Sequence, residues 1–411
     1  MTQTCRFVHG HWRKKFDVRM QVEPQTAVTA PTSWTLVLLL WGAGLGGAAQ
    51  YAKIAVIFDL LPDLYPQAGS SLGWVVSLVG FVGILFGVAA GLLVARIRYR
   101  RALLAALWIG AAVSLFQASL PPLPWMLLSR IVEGVSHLAI VVAAPTLIAQ
   151  LCAPSDRGLA LTLWGTFFGV AFAVLAFGGR PLALGLGPAA LFAAHSLYMA
   201  VFAFLLASRL RALPGKQQHP AFSLRKILQD HVTIYRSAHI AAPAAGWLFY
   251  TFSFVSLLTL LPPYLAPEIR AIVVTAMPLT SIAVSMTFGV MLLRFLPAVR
   301  VVECGFGASA LCMVWLWCAP ASPWACIALA GTLGLVQGAS FAAVPQLNKT
   351  AATQAQANGA MAQMGNIGNT LGTPVIALAL AAMGYQALPV VAGIVLALGL
   401  FVHLLLGRLR R

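Results

Sequence analysis

From Trp34 to the carboxyl end, apolar runs of about 20 residues recur, each broken by proline, glycine or charge. At a rise of about 1.5 Å per residue, such a run crosses a hydrocarbon core of roughly 30 Å. Each is therefore read as a membrane-spanning helix. Twelve are expected, at 34–61, 72–94, 101–120, 124–151, 157–179, 186–208, 240–265, 271–293, 299–319, 323–347, 358–383 and 386–407. Composition agrees, since a chain 60% hydrophobic and 9% charged with mean hydropathy +0.89 is no ordinary soluble protein. The expected class is an all-α membrane protein.

The formal charge of +17, from 26 basic and 9 acidic residues, raises nucleic acid as a partner, but the basic residues gather between apolar runs. All except Lys53, Arg130, Arg180 and Arg270 fall in alternate connections and the two ends. That bias is topological and sets both termini in the cytoplasm. Residues 1–33 are basic and lack the continuous apolar core of a signal peptide, so they read as a cytoplasmic tail, and Met20 offers an alternative start. His9 and His11 bring no further ligands, and the six cysteines show no CxxC spacing, so neither a metal site nor a disulfide is expected. The polar interval at 209–239 separates six spans from six, which divides the chain into bundles at 34–208 and 240–411. Within it, Phe222 to Tyr235 has helical apolar spacing with Arg225, Lys226 and Arg236 beside it, a pattern for a helix on the anionic inner leaflet.

The halves repeat each other at an offset of about 200 residues. Val132-Glu133-Gly134-Val135-Ser136 answers Val336-Gln337-Gly338-Ala339-Ser340, Pro145 answers Pro345, and Arg157 to Gly165 answers Asn358 to Asn366. Parallel repeats of this length are a transporter architecture, with the shared site at the midplane between halves.

Twelve spans, a basic central loop and a repeat resemble the major facilitator superfamily from Trp34 onward. The loop after the second span is similar to that family's G-x-L-small-D-R-x-G-R-K motif through Gly91, Leu93, Arg96, Arg100 and Arg101, although Ala95 replaces its acid and Arg98 its second glycine. Arg130, Glu133 and Gly134 match R-x-x-Q-G in the fourth span, with Glu for Gln. Gly165 and Gly169 begin the antiporter G-x-x-x-G-P signature, but Val170 stands where its proline belongs, which favours uptake over antiport. The segment PSDRGLALTLWG resembles cyanate-permease-like bacterial members. The resemblance implies two pseudo-symmetric six-helix bundles around a central cavity lined by spans one, four, seven and ten. It also implies a gating role for Gly91, Arg96, Arg100 and Arg101.

Arg130, Glu133 and His137, at spacings of three and four, share one helix face that reads as the wall of a polar cavity. Arg130 and Glu133 could equally neutralise each other as a structural pair. Gln50 and Lys53 share a face of the first span; Lys53 either touches substrate or snorkels toward Asp59 and Asp63. Tyr250, Phe254, Gln337 and Ser340 are candidate neutral lining, as are Gln363, Asn366 and Asn369, whose amides could instead join helices. Trp164 is a candidate cap over a ligand, and Gly42, Gly44, Gly46 and Gly47 allow close helix approach.

These residues point to a secondary transporter moving a small solute by alternating access in a bacterial inner membrane, acting as a monomeric proton symporter. Lys53 and Arg130 tilt the expected substrate toward an organic anion, and Glu133, the one acid well inside a span, is the expected coupling group with His137 sharing its proton. The alternative is proton-coupled multidrug or siderophore efflux, with a non-transporting receptor or scaffold ranking last. No cofactor is expected, and no phosphate-binding loop or hydrolase motif argues for an enzyme.

Overall fold

The computed structural model describes residues 31–153, 155–210 and 224–410. The tail with His9, His11 and Met20, most of the central loop with Lys216, and the side chains of Gly91, Arg96, Arg225 and Lys226 lie outside the described residues. Among those described there are helices and connecting turns but no strand. Twelve helices are long and apolar enough to span a membrane: α1 Trp34–Ala55, α2 Gly69–Gly87, α3 Tyr99–Gln117, α4 Leu123–Leu151, α5 Phe167–Leu186, α6 Pro188–Arg209, α7 Ala241–Leu260, α8 Pro267–Leu292, α9 Ala298–Cys318, α10 Pro323–Leu347, α11 Thr353–Met383 and α12 Ala387–Leu409. They form two pseudo-symmetric six-helix bundles, α1–α6 and α7–α12. The side on which α1 begins is called the near face below, and the opposite side the far face.

The fifth span departs from its expected limits. The apolar run from Arg157 folds first as a short helix, Arg157–Gly165, and breaks at Thr166 before α5 begins. The Thr166 hydroxyl donates back to the Leu163 carbonyl at 2.7 Å and accepts from Trp41 Nε1 at 3.2 Å, a side-chain competition for backbone that bends helices. Further along, α5 and α8 each contain one π-helical turn, at Leu175–Gly179 and Ser285–Gly289.

Small residues decide how closely the helices approach. A side chain at Gly42 would collide with the Phe202 ring and at Gly46 with Met199, and one at Gly47 would press on Ile140, so α1 lies close against α6 and α4. The close approach expected of these glycines is what the fold uses. Between the halves, α2 presents Gly73, Gly80, Gly83 and Gly87 to α11. A Cβ on Gly73 would sit 2.7 Å from Pro374 Cα, and one on Gly87 2.8 Å from Gln363 Cα. The internal repeat has a structural counterpart. Gly134 of α4 admits the Val79 carbonyl of α2, and Gly338 and Gly334 of α10 admit Ser285 and Ser281 of α8.

Candidate functional site

The first half closes around a charged network that no single span contributes alone. Lys53 of α1 is fully buried, and its ammonium donates to Glu133 Oε1 of α4 at 2.6 Å and to Ser114 Oγ of α3 at 2.7 Å. His195 Nδ1 of α6 lies 3.3 Å away, and the Phe192 ring centroid 5.5 Å away. Arg130, also fully buried, pairs with Glu133 Oε2 and donates to the Val75 carbonyl at 2.7 Å and the Gln50 carbonyl at 2.6 Å. Gln117 of α3 donates to the same carboxylate oxygen at 3.0 Å. One carboxylate thus serves two cations and an amide, which is how charge survives inside a bundle.

Backbone geometry fixes the histidine tautomers. His195 Nε2 lies 2.9 Å from the Gly46 carbonyl, and His137 Nδ1 lies 3.0 Å from the Gly47 carbonyl. A carbonyl only accepts, so each of those nitrogens carries a hydrogen. In the neutral ring His195 Nδ1 is then the acceptor, and Ser114 Oγ stands 2.7 Å from it. Glycines at 46 and 47 leave these α1 carbonyls open to side chains from α6 and α4. Behind His195 a cavity of about 260 Å³ between α1, α5 and α6 is walled otherwise by groups such as Leu45, Leu175, Leu182 and Leu191.

Gln50 and Lys53 share a face as their spacing implied, and that face turns into the first half, where Gln50 donates to Ser136 at 2.8 Å. Lys53 does not snorkel toward Asp59 and Asp63. Asp59 instead holds Arg180 of α5 through two bonds of 2.6 and 2.7 Å and faces Arg270 of α8 at 3.9 Å, linking the halves at the far face. His137 packs edge-on against Tyr51, with ring centroids 5.2 Å apart.

Aromatic rings run without a break from one half to the other. Tyr51 meets Phe168 at 5.8 Å, Phe168 stacks on Phe172 at 5.3 Å, and Phe172 meets Phe254 of α7 at 6.4 Å. Tyr250 stacks on Phe254 at 5.3 Å and on Trp247 at 4.7 Å, and Trp247 meets Phe341 of α10 at 4.8 Å. Tyr250 and Phe254 therefore belong to a continuous wall. Gln337 lies nearby, its Oε1 accepting from Ser281 at 3.4 Å, while Ser340 bonds its own helix at Val336. Trp164 stacks on Phe167 at 4.5 Å.

The amides of α11 divide in use. Asn366 donates to its own helix at Ala362 and fills the hollow left by Gly83. Gln363 ties the near face together, donating to the Ile84 carbonyl of α2 at 2.9 Å and accepting from Tyr235 at 2.6 Å. Tyr235 belongs to a helix, Leu224–Arg236, whose Ile234 packs with Ile240, Ala244, Val344 and Met361. Burial pushes the Tyr235 phenol up to about 12, so it remains a donor at physiological pH. Arg100, from the basic loop, donates to the Leu210 and Ala207 carbonyls at the end of α6, and Arg101 is exposed. Ser114, Gln117, Ser129 and His195 were not singled out from the sequence. Ser114 and Gln117 share a face at a spacing of three, the one signal that could have marked them.

The family model described as Major Facilitator Superfamily matches residues 39–271, more than half of the chain. The chain belongs to that superfamily. Solved superfamily transporters share its fold. A bacterial homolog of the human lysosomal transporter Spinster, crystallised inward-facing and occupied, is similar with a TM-score of 0.75 at 14% identity, covering 92% of this chain and 98% of that one. The same homolog inward-facing and unoccupied gives 0.72 at 12% identity, covering 91% and 97%. No curated protein matches the chain by sequence. As a superfamily member the protein is a membrane transporter and not an enzyme, and it takes a small-molecule substrate.

Proposed function

We propose that the protein is a proton-coupled secondary transporter that carries an organic solute with aromatic or extended apolar character along the ring-lined path between its halves. The observation that carries this reading is the division of labour just described. Lys53 Nζ and all three guanidinium nitrogens of Arg130 bond to groups of the first half, while the wall from Tyr51 to Phe341 offers ring faces. Ring faces favour flat or apolar groups and tolerate varied shapes. An organic anion is the second reading, favoured by the excess of two cations over one carboxylate around Glu133. Alternating access would part the seam between α2 and α11 at one face at a time, and the Asp59 link would open when the far face does. On this reading both termini and Lys216 face the cytoplasm of a bacterial inner membrane, and the monomer is the working unit.

Purified protein in liposomes, offered aromatic carboxylates, small aliphatic carboxylates and neutral or cationic dyes under an imposed pH gradient, tests the reading. Saturable, gradient-driven accumulation of ring-bearing compounds that is lost in Trp247→Ala supports it. Accumulation of small aliphatic carboxylates alone would replace it with the second reading. No gradient-driven movement of any class would sink proton coupling.

A further inference from the structure

Charge counting around Glu133 singles out the group that can change its charge. Arg130 keeps its proton under all working conditions, so with Glu133 ionised those two sum to zero. A protonated Lys53 then adds one uncompensated positive charge in a fully buried site, with an apolar cavity behind His195 to one side. Protonating Glu133 would worsen the imbalance by leaving two cations unpaired, whereas releasing the Lys53 proton brings the cluster to neutrality. We infer that Lys53, and not Glu133, is the proton-carrying group of this transporter, alternating between ammonium and amine while Glu133 stays ionised as a fixed counter-charge. The inference rests on the proton-coupled reading above.

The hydrogen bonds around Lys53 suit both forms without moving a heavy atom. As an ammonium, Nζ donates to Glu133 Oε1 and Ser114 Oγ, and the Ser114 hydroxyl donates on to His195 Nδ1, 2.7 Å away. As an amine, Nζ keeps its bond to Glu133, turns its other hydrogen to His195 Nδ1 at 3.3 Å, and accepts from the Ser114 hydroxyl, which has only to rotate. His195 keeps Nε2–H on the Gly46 carbonyl throughout. The step is a single proton transfer in which one N–H bond of Lys53 breaks, its electron pair stays on nitrogen, and the proton leaves on water when the network opens to one side. The groups facing this site are Tyr51 of α1, Ser114 and Gln117 of α3, Arg130, Glu133 and His137 of α4, and Phe192 and His195 of α6. Each imidazole keeps one N–H on an α1 carbonyl, and a second proton on either ring would add to the positive excess around Arg130 and Lys53, which leaves Lys53 as the group free to cycle.

Changing Lys14, Lys15, Lys216, Lys226 and Lys349 to arginine leaves Lys53 as the sole lysine, and its Nζ can be followed by nitrogen NMR of ¹⁵N-lysine protein in nanodiscs while ¹³C-glutamate reports on Glu133. The expected result is that Nζ passes reversibly from ammonium to amine across the pH range in which the fold survives, with Glu133 ionised throughout. A Lys53 that stays ammonium while Glu133 takes up a proton would overturn the inference. A second arm follows thermal unfolding of Lys53→Met against pH. This variant keeps the neutral Arg130–Glu133 pair, so it should fold and lose the pH dependence that the parent shows over the Lys53 transition; an unchanged dependence would also overturn it. Lys53 titrating in a protein that moves no solute would keep this inference and sink the transport reading. Gradient-driven accumulation by Lys53→Arg, whose side chain holds its proton, would sink the inference and keep transport.

Discussion

Val132–Ser136 and Val336–Ser340 stand at matching points of α4 and α10, and each uses its glycine to receive a neighbouring helix, yet the two halves treat the residue before that glycine differently. Glu133 gathers Lys53, Arg130 and Gln117 into a sealed network, whereas Gln337 makes one long bond to Ser281. The contrast extends outward. Among the described residues, the second half's ion pair, Arg300–Glu303, sits at the start of α9 with Arg300 half exposed, and its interior is given to rings. One scaffold, used twice, holds a buried ion network in one copy, while rings from both copies meet between them.

Erasing the contrast at Glu133 should have the largest effect. Glu133→Gln makes α4 resemble α10 but strands two buried cations, and removing one partner of such a pair costs about 3–5 kcal/mol. A large fall in the unfolding temperature in detergent checks this. The similarity between halves is sharpened by Gly134→Leu and Gly338→Leu, which push into the Val79 carbonyl and Ser285 respectively. Each should cost about 1–3 kcal/mol by overpacking, of similar size in both halves, on the same assay. Asp59→Asn weakens a partly exposed link between the halves. Its stability cost should stay at or below about 1 kcal/mol, while cysteine accessibility at the far face rises.

An effect confined to alkaline pH concerns Tyr235, whose burial raises its phenol to about 12 from an unfolded value near 10. The folded state holds that proton more tightly, so the stabilisation is complete below pH about 10 and is lost as pH climbs toward about 12. Tyr235→Phe should remove that alkaline dependence, measured by protease protection of the helix Leu224–Arg236.

Length and hydropathy made the twelve spans legible because lipid demands unbroken apolar helices of set length. The break at Thr166 was not legible, since a single threonine bonding back to Leu163 leaves no mark on hydropathy. In the site, the Arg130–Glu133 pair follows from helical spacing, but the partnership of Lys53 with Glu133 joins α1 to α4, and no periodicity carries a contact between helices. His195 and Ser114 read as isolated polar residues in apolar runs for the same reason. The aromatic wall was half visible. Tyr250 and Phe254 share a face at a spacing of four, while Phe168 and Trp247 look no different in sequence from exposed rings such as Phe177 and Trp315.

The central claim is that Lys53 and Glu133 act as one buried unit, and a double-mutant cycle on stability measures it most directly. Lys53→Met, Glu133→Gln and the combined variant would be compared by thermal or denaturant unfolding in one detergent. The prediction is a coupling energy of about 2–3 kcal/mol, with the double variant more stable than Glu133→Gln alone because one stranded cation has been removed. Additive losses, with the double variant the least stable of the set, would contradict it.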